Sequence, residues 1–202
     1  IRSGAIMGKI VGEKLGVKIT KMADEGKPVL GICNVFQVLV ESGILPRINS
    51  NSSQAALGTN TSSKYEDRWV YLRNENRGNC IFIKGVKRLT RMPVAHAEGK
   101  LILPLDRETE YLNYLEEHDQ IAFCYATDSG ELAKGKYPEN PNGSIADIAG
   151  ICDPSGIAMG LMPHPERAFH RITYPDWTRT GAEGFGDGYA IFKNMVDCAK
   201  KV

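Results

Sequence analysis

The stretch Lys27-Pro28-Val29-Leu30-Gly31-Ile32-Cys33-Asn34-Val35-Phe36-Gln37 constrains the fold of this chain more than any other. Its first half is a short apolar run behind a proline, the pattern of a buried parallel strand. Its second half sets Phe36, Leu39 and Val40 at helical spacing until Gly43 and Pro46 stop the helix. A strand that turns at once into a helix belongs to an open α/β sheet, whose sites lie at the carboxyl ends of the strands. Cys33 occupies the joint. The free amides and positive end of the helix stabilise a thiolate there, which makes Cys33 a candidate nucleophile. A buried core cysteine is the plainer reading, and position alone leaves both open.

The chain of 202 residues suits one α/β domain spanning 1–202. With 25 basic and 24 acidic residues its net charge is +1, so no electrostatic footprint points to nucleic acid or an acidic membrane surface. The expected partners are small molecules or proteins. The five cysteines (Cys33, Cys80, Cys124, Cys152, Cys198) are scattered and never form a CxxC pair, which argues against a disulfide scaffold and a zinc site. A reduced, cytoplasmic protein is expected. No apolar run approaches the roughly 20 residues of a membrane helix, and nothing resembles a signal peptide. The sequence opens on Ile1 rather than methionine, which leaves open that a natural N-terminus has been lost.

Taken in order, residues 1–26 read as helix, broken near Gly16 and ended by Gly26. Gly4, Gly8, Gly12 and Gly16 form a small-residue ridge suited to close packing on a sheet. Residues 47–64, rich in Asn, Ser and Thr, read as a surface excursion, and strands are expected at 69–73, 80–84, 92–96 and 120–126. Asp106 is placed to cap a helix running to about His118. Residues 145–162 read as two strands joined by the turn Asp153-Pro154-Ser155-Gly156. A helix over 187–201 carries Tyr189, Phe192, Met195 and Val196 on its apolar face.

A thiol nucleophile needs a base, and the base needs a group that fixes its tautomer. Pro163-His164-Pro165-Glu166-Arg167 supplies both, because Pro165 favours an extended His164 and alternation then sets His164 and Glu166 on one face. His96-Ala97-Glu98-Gly99 has the same spacing, so spacing does not choose between them. His118 and His170 read as solvated surface residues.

Gly31-Ile32-Cys33-Asn34-Val35-Phe36-Gln37 followed at a distance by His164-Pro165-Glu166 resembles the class I glutamine amidotransferases. Arg2-Ser3-Gly4-Ala5-Ile6, the segment from Pro93 through His96 to Gly99, Asn142-Gly143-Ser144, Asp147-Ile148-Ala149-Gly150 and Met162-Pro163-His164-Pro165-Glu166-Arg167 sharpen the resemblance. They are similar to the glutaminase subunits of phosphoribosylformylglycinamidine synthase. The resemblance implies a doubly wound, flavodoxin-like α/β fold, its sheet mostly parallel with helices on both faces. It implies Cys33, His164 and Glu166 as the catalytic set, with the Asn34 amide as oxyanion donor and Gln37 helping to hold L-glutamine. His96, Glu98 and Arg167 are expected at the site rim or a partner contact.

The resemblance also implies a synthetase subunit that takes the ammonia to form formylglycinamidine ribonucleotide in purine synthesis, together with a small accessory subunit. ATP and magnesium belong to the synthetase, and no cofactor or metal is expected in this chain, which has no nucleotide-binding fingerprint. Two departures stand out. Val35 occupies a glycine position of the pattern, where a β-branched side chain is expected to crowd the turn or narrow the glutamine pocket. The family's first strands and second oxyanion amide precede the position matching Ile1, so an N-terminal segment is expected to be missing. A catalytically inactive scaffold subunit and another cysteine hydrolase on the same fold remain the alternatives.

Overall fold

The computed structural model describes residues 3–48, 54–181 and 183–202, with residues 3–9 and 11–13 described by backbone alone. Helix α1 (Ser3–Asp24) is continuous through Gly16, where an added methyl would meet only open space, so the expected break is not there. The remaining ridge glycines lie among the backbone-only residues. Gly26, at φ 81, closes the helix as expected, with the Lys27 amide reaching back to the Met22 carbonyl at 2.9 Å. Strand β1 (Val29–Ile32) and helix α2 (Asn34–Glu41) follow at once, separated by Cys33 alone.

The remaining elements are β2 (Ala56–Thr59), β3 (Glu66–Asn74), β4 (Leu89–His96), β5 (Glu98–Ile102), α3 (Glu108–Glu117), β6 (Ile121–Ala126), β7 (Ile148–Cys152), β8 (Ala158–Leu161), α4 (Trp177–Thr180) and α5 (Tyr189–Ala199). Six strands form the main sheet in the order β1-β8-β7-β6-β3-β4, and β2 pairs with β5 in a small second sheet. The α/β architecture is the expected one, with helices on both faces. The sheet, expected to be mostly parallel, is instead mixed: among the described residues the β1–β8 pair, which carries the elbow, is parallel, and the pairs beyond it are antiparallel. Their connections explain this. The Asp153–Gly156 turn, closed by the Gly156 amide on the Asp153 carbonyl at 2.9 Å, joins β7 to β8 as a hairpin, which needs no crossover helix.

One core packs α1, α2 and α3 with the small sheet on one face of the main sheet. The other face is covered by α5 and a 3-10 turn at Ile81–Ile83. That turn replaces the strand expected over 80–84. Cys80, Phe82 and Ile83 are all buried, without the alternation of a half-exposed strand, and Asn194 of α5 donates to the Phe82 and Lys84 carbonyls at 2.9 Å. The surface excursion expected over 47–64 likewise contains β2, paired with β5 from Ala56 against Ile102 to Thr59 against Glu98. Helix α3 begins after Arg107, with no side-chain cap from Asp106; Glu108 and Glu110 instead set negative charge in its first turn. Along α5 it is Ile191 that is fully buried, while Val196 is 52% exposed. Among the described residues no helix is long and apolar enough to cross a membrane.

Candidate active site at the cysteine elbow

The register of β1 on β8, Val29 against Ala158 through Ile32 against Leu161, continues one step further. The Cys33 amide donates to the Leu161 carbonyl at 2.9 Å, and the Cys33 carbonyl accepts the first helical bond of α2 from Gln37 at 3.1 Å. Cys33 therefore carries the strand's bonding one step past β1 and caps the helix as well. Its backbone bends to φ 52, ψ −108, a conformation that favours glycine, and the strain holds the side chain off the strand axis. Two glycines make room beneath it. A methyl on Gly31 would stand 3.1 Å from the Phe36 amide nitrogen, and one on Gly160 would enter the Phe36 ring. The close approach thus falls on Gly31 and Gly160, while Val35 turns its side chain outward and is 46% exposed. The crowding of the turn expected from Val35 does not occur.

The carboxyl end of β8 delivers the candidate base. His164 is extended at φ −104, ψ 87, and its amide is tied to the Pro93 carbonyl at 2.8 Å. A 3-10 turn at Pro165–Ala168 then folds Glu166 back, so that the carboxylate meets His164 Nδ1 at 2.6 Å. The pair is made by a turn, not by the strand alternation expected. Burial, the largest single influence on His164, pulls its pKa down. The Cys33 sulfur and the Glu166 carboxylate together outweigh that and leave it raised to about 9. Glu166 is held below the usual carboxylate range by His164 and Arg167 against its own partial burial. The Cys33 thiol lies against His164, yet its hydrogen-bond acceptor is the Ala95 carbonyl at 3.9 Å. No hydrogen-bond partner among the described residues reaches His164 Nε2.

The second His-x-Glu segment is also drawn to the elbow, in a different way. Gln37, only 5% exposed, donates its amide to the Glu98 carbonyl at 2.7 Å, so its nitrogen is committed to the chain. Asn142 Nδ2 and Ser144 Oγ bond the Gly99 carbonyl at 2.8 and 3.3 Å, and Asn60 Nδ2 bonds the His96 carbonyl at 2.9 Å. His96, expected at the site rim or a partner contact, is buried at 3% exposure, and its ring bonds Asn60 beneath the surface. Glu98 is half-buried and Arg167 is exposed. The Asn34 amide opens α2, where helix geometry leaves it without an intrahelical acceptor. His118 bonds the Tyr114 carbonyl on the surface and His170 is exposed, both apart from this cluster. Asn60 is the residue that sequence reasoning missed; an asparagine just past the lone apolar triplet of a polar stretch was its signal. Among the described residues no group of His, Cys, Asp or Glu side chains is arranged to hold a metal ion.

A strained cysteine elbow on an α/β sheet, faced by a buried histidine that pairs with an exposed glutamate, places the chain in the class of glutamine amidotransferase domains, and the profile of the CobB/CobQ-like glutamine amidotransferase domain matches residues 1–198. Phosphoribosylformylglycinamidine synthase subunit PurQ of Archaeoglobus fulgidus is 46% identical over 208 residues, covering 100% of this chain and 74% of that protein. The subunit of the same name from Dehalococcoides mccartyi is 40% identical over 200 residues, covering 99% and 74%. A solved structure of PurLQS from Thermotoga maritima aligns with a TM-score of 0.66 at 28% identity, covering 98% of this chain and 72% of that one. The chain belongs to the PurQ family, the glutaminase subunits of phosphoribosylformylglycinamidine synthase.

Proposed function

We propose that Cys33, His164 and Glu166 hydrolyse L-glutamine through a glutamyl thioester. His164 Nε2 takes the Cys33 thiol proton, and the thiolate attacks the side-chain carbonyl carbon of glutamine. The Asn34 amide receives the oxyanion at the helix N-terminus, where the dipole favours negative charge. His164 returns the proton to the amide nitrogen, the C–N bond breaks and ammonia leaves. Water, deprotonated by the same imidazole, then cleaves the thioester to glutamate and restores the thiol. Glu166 holds the proton on Nδ1 and stabilises the imidazolium. Gln37 acts by anchoring the Glu98 carbonyl, with its oxygen left to face the substrate. The observation that carries the reading is the strained Cys33 elbow beside a His164 whose other nitrogen is held by Glu166 at 2.6 Å.

The ammonia passes to a synthetase subunit that binds ATP, magnesium and formylglycinamide ribonucleotide, with a small accessory subunit completing a cytoplasmic complex. Arg167, exposed beside the catalytic loop, faces that contact. Residues 1–202 act as one amidotransferase domain. A diazoketone analogue of glutamine tests the triad. Cys33 should be alkylated in the wild type, Cys33→Ala should resist, and glutaminase activity should vanish with the label. Resistance of the wild type would instead mark an inactive scaffold, and equal reaction with electrophiles unlike glutamine a different hydrolase.

A further inference from the structure

The His96 ring is fixed in a state that hydrolysis at Cys33 does not use. Asn60 Nδ2 donates to the Lys64 and His96 carbonyls, both at 2.9 Å, so its Oδ1 can only accept. The 3.0 Å contact of that oxygen with His96 Nδ1 is therefore an Nδ1–H donor bond, and the proton of the neutral ring sits on Nδ1. His96 Nε2 is left as a bare lone pair. The residue is 3% exposed, and no donor among the described residues reaches this atom. An acceptor buried without a donor is costly, which points to a ligand that supplies one.

The surroundings identify that ligand. The strand carrying His96 ties its Pro93 carbonyl to the His164 amide at 2.8 Å and holds its Ala95 carbonyl 3.9 Å from the Cys33 sulfur. The ring packs at Gly99 and Met162, where a methyl added to Gly99 would stand 2.9 Å from His96 Cε1 and 2.9 Å from the Met162 methyl. Its charged neighbours are His164 and, from β3, Glu66, which is itself paired with Arg68 at 2.7 Å. Burial and the nearby His164 hold His96 neutral, down to about 4. An acceptor packed this closely and near His164 suits the leaving ammonia, which is small and brings N–H donors. The neutral ring carries no proton at Nε2 to transfer, so ammonia bound there keeps the lone pair with which it attacks.

We propose that His96 Nε2 accepts a hydrogen bond from the ammonia released between Cys33 and His164 and, giving it no proton, holds it for delivery out of the site; this rests on the triad proposed above. No bond to the histidine forms, and the nitrogen leaves as it arrived.

Two substitutions separate this role from a structural one, measured in the complex with the synthetase subunit. His96→Asn keeps a donor for Asn60 and removes the Nε2 acceptor, whereas His96→Gln places an amide oxygen near Nε2 and gives up the Asn60 bond. The expected result is that nucleotide formed per glutamate falls at least threefold in His96→Asn and stays clearly higher in His96→Gln. Cys33 alkylation by the diazoketone should remain within about twofold in both. The reverse order, or wild-type coupling in His96→Asn, overturns the proposal. Accumulation of thioester with intact coupling also overturns it and assigns the atom to the hydrolytic water. Should neither variant fold, the wild type decides. With Cys33 alkylated, ammonia added above pH 9 should move the His96 Nε2 nitrogen resonance, and an unmoved resonance sinks the idea. A wild type that does not alkylate at Cys33 removes the triad and this inference together, while normal alkylation with normal coupling in His96→Asn removes this inference alone.

Discussion

Replacing Cys33 by glycine and by alanine should reverse the usual ranking of those two residues. At φ 52, ψ −108 the backbone has the geometry of the first central residue of a type II′ turn, a position that glycine favours. A side chain held in such a sparsely populated region costs about 1–3 kcal/mol. Glycine loses more backbone freedom on folding, a penalty of roughly 0.5–1 kcal/mol against alanine, and it gives up one partly buried methyl worth less than about 0.8 kcal/mol. Both variants lose the thiol, so their difference isolates the backbone. The balance leaves Cys33→Gly ahead of Cys33→Ala by about 1 kcal/mol, or roughly 2–4 °C in Tm for a chain of this size. Urea unfolding of the two variants side by side, with a shared slope, measures it. If Cys33→Ala equals or exceeds Cys33→Gly in midpoint, the elbow is not strained and the argument fails.

Glu166→Gln should move the alkaline limb of glutaminase turnover to lower pH. In the proposed mechanism protonated His164 releases the amide nitrogen, its pKa is raised to about 9 partly by Glu166, and an unmoved limb would refute that coupling. The sign for stability follows, since a histidine raised from 6.5 to about 9 stabilises the fold fully below 6.5 and loses that contribution as pH climbs through 9. Glu166→Gln should therefore flatten the fall in Tm across that window. Gly160→Ala drives a methyl into the Phe36 ring and should cost about 1–3 kcal/mol, read as a lower urea midpoint; a neutral result would mean that the elbow repacks freely. Val35→Gly should not lower turnover, because the Val35 side chain is 46% exposed, and a large loss in steady-state assays would show that the valine shapes the substrate site.

The parts of the site fixed by local chemistry were legible in the sequence. The proline-bounded run into Cys33 and the helical spacing of Phe36, Leu39 and Val40 depend on near neighbours, and β1 and α2 appear where they were read. The His164–Glu166 pair was legible as residues, although the turn that joins them was not, because a 3-10 turn after Pro165 leaves no periodicity. What escaped depends on distant partners. The run at 80–84 has strand composition, but α5, more than a hundred residues on, supplies the bonds that settle it as a turn. His96 and His164 share one spacing, and only the fold shows that one ring meets a carboxylate and the other an asparagine from a stretch that reads as loop.

The parallel pairing of β1 with β8 brings Cys33 beside His164 only when residues 158–161 have taken their places along residues 29–32. A slip of one residue would turn the side chains at the edge to the opposite face. On the proposed mechanism a chain still short of β8 holds its thiol but lacks its base, so glutaminase activity waits on the pairing of β1 with β8. In refolding, the return of glutaminase activity should trail the return of helical signal, because the helices form from neighbours and the catalytic pair from the two ends of the sheet's sequence.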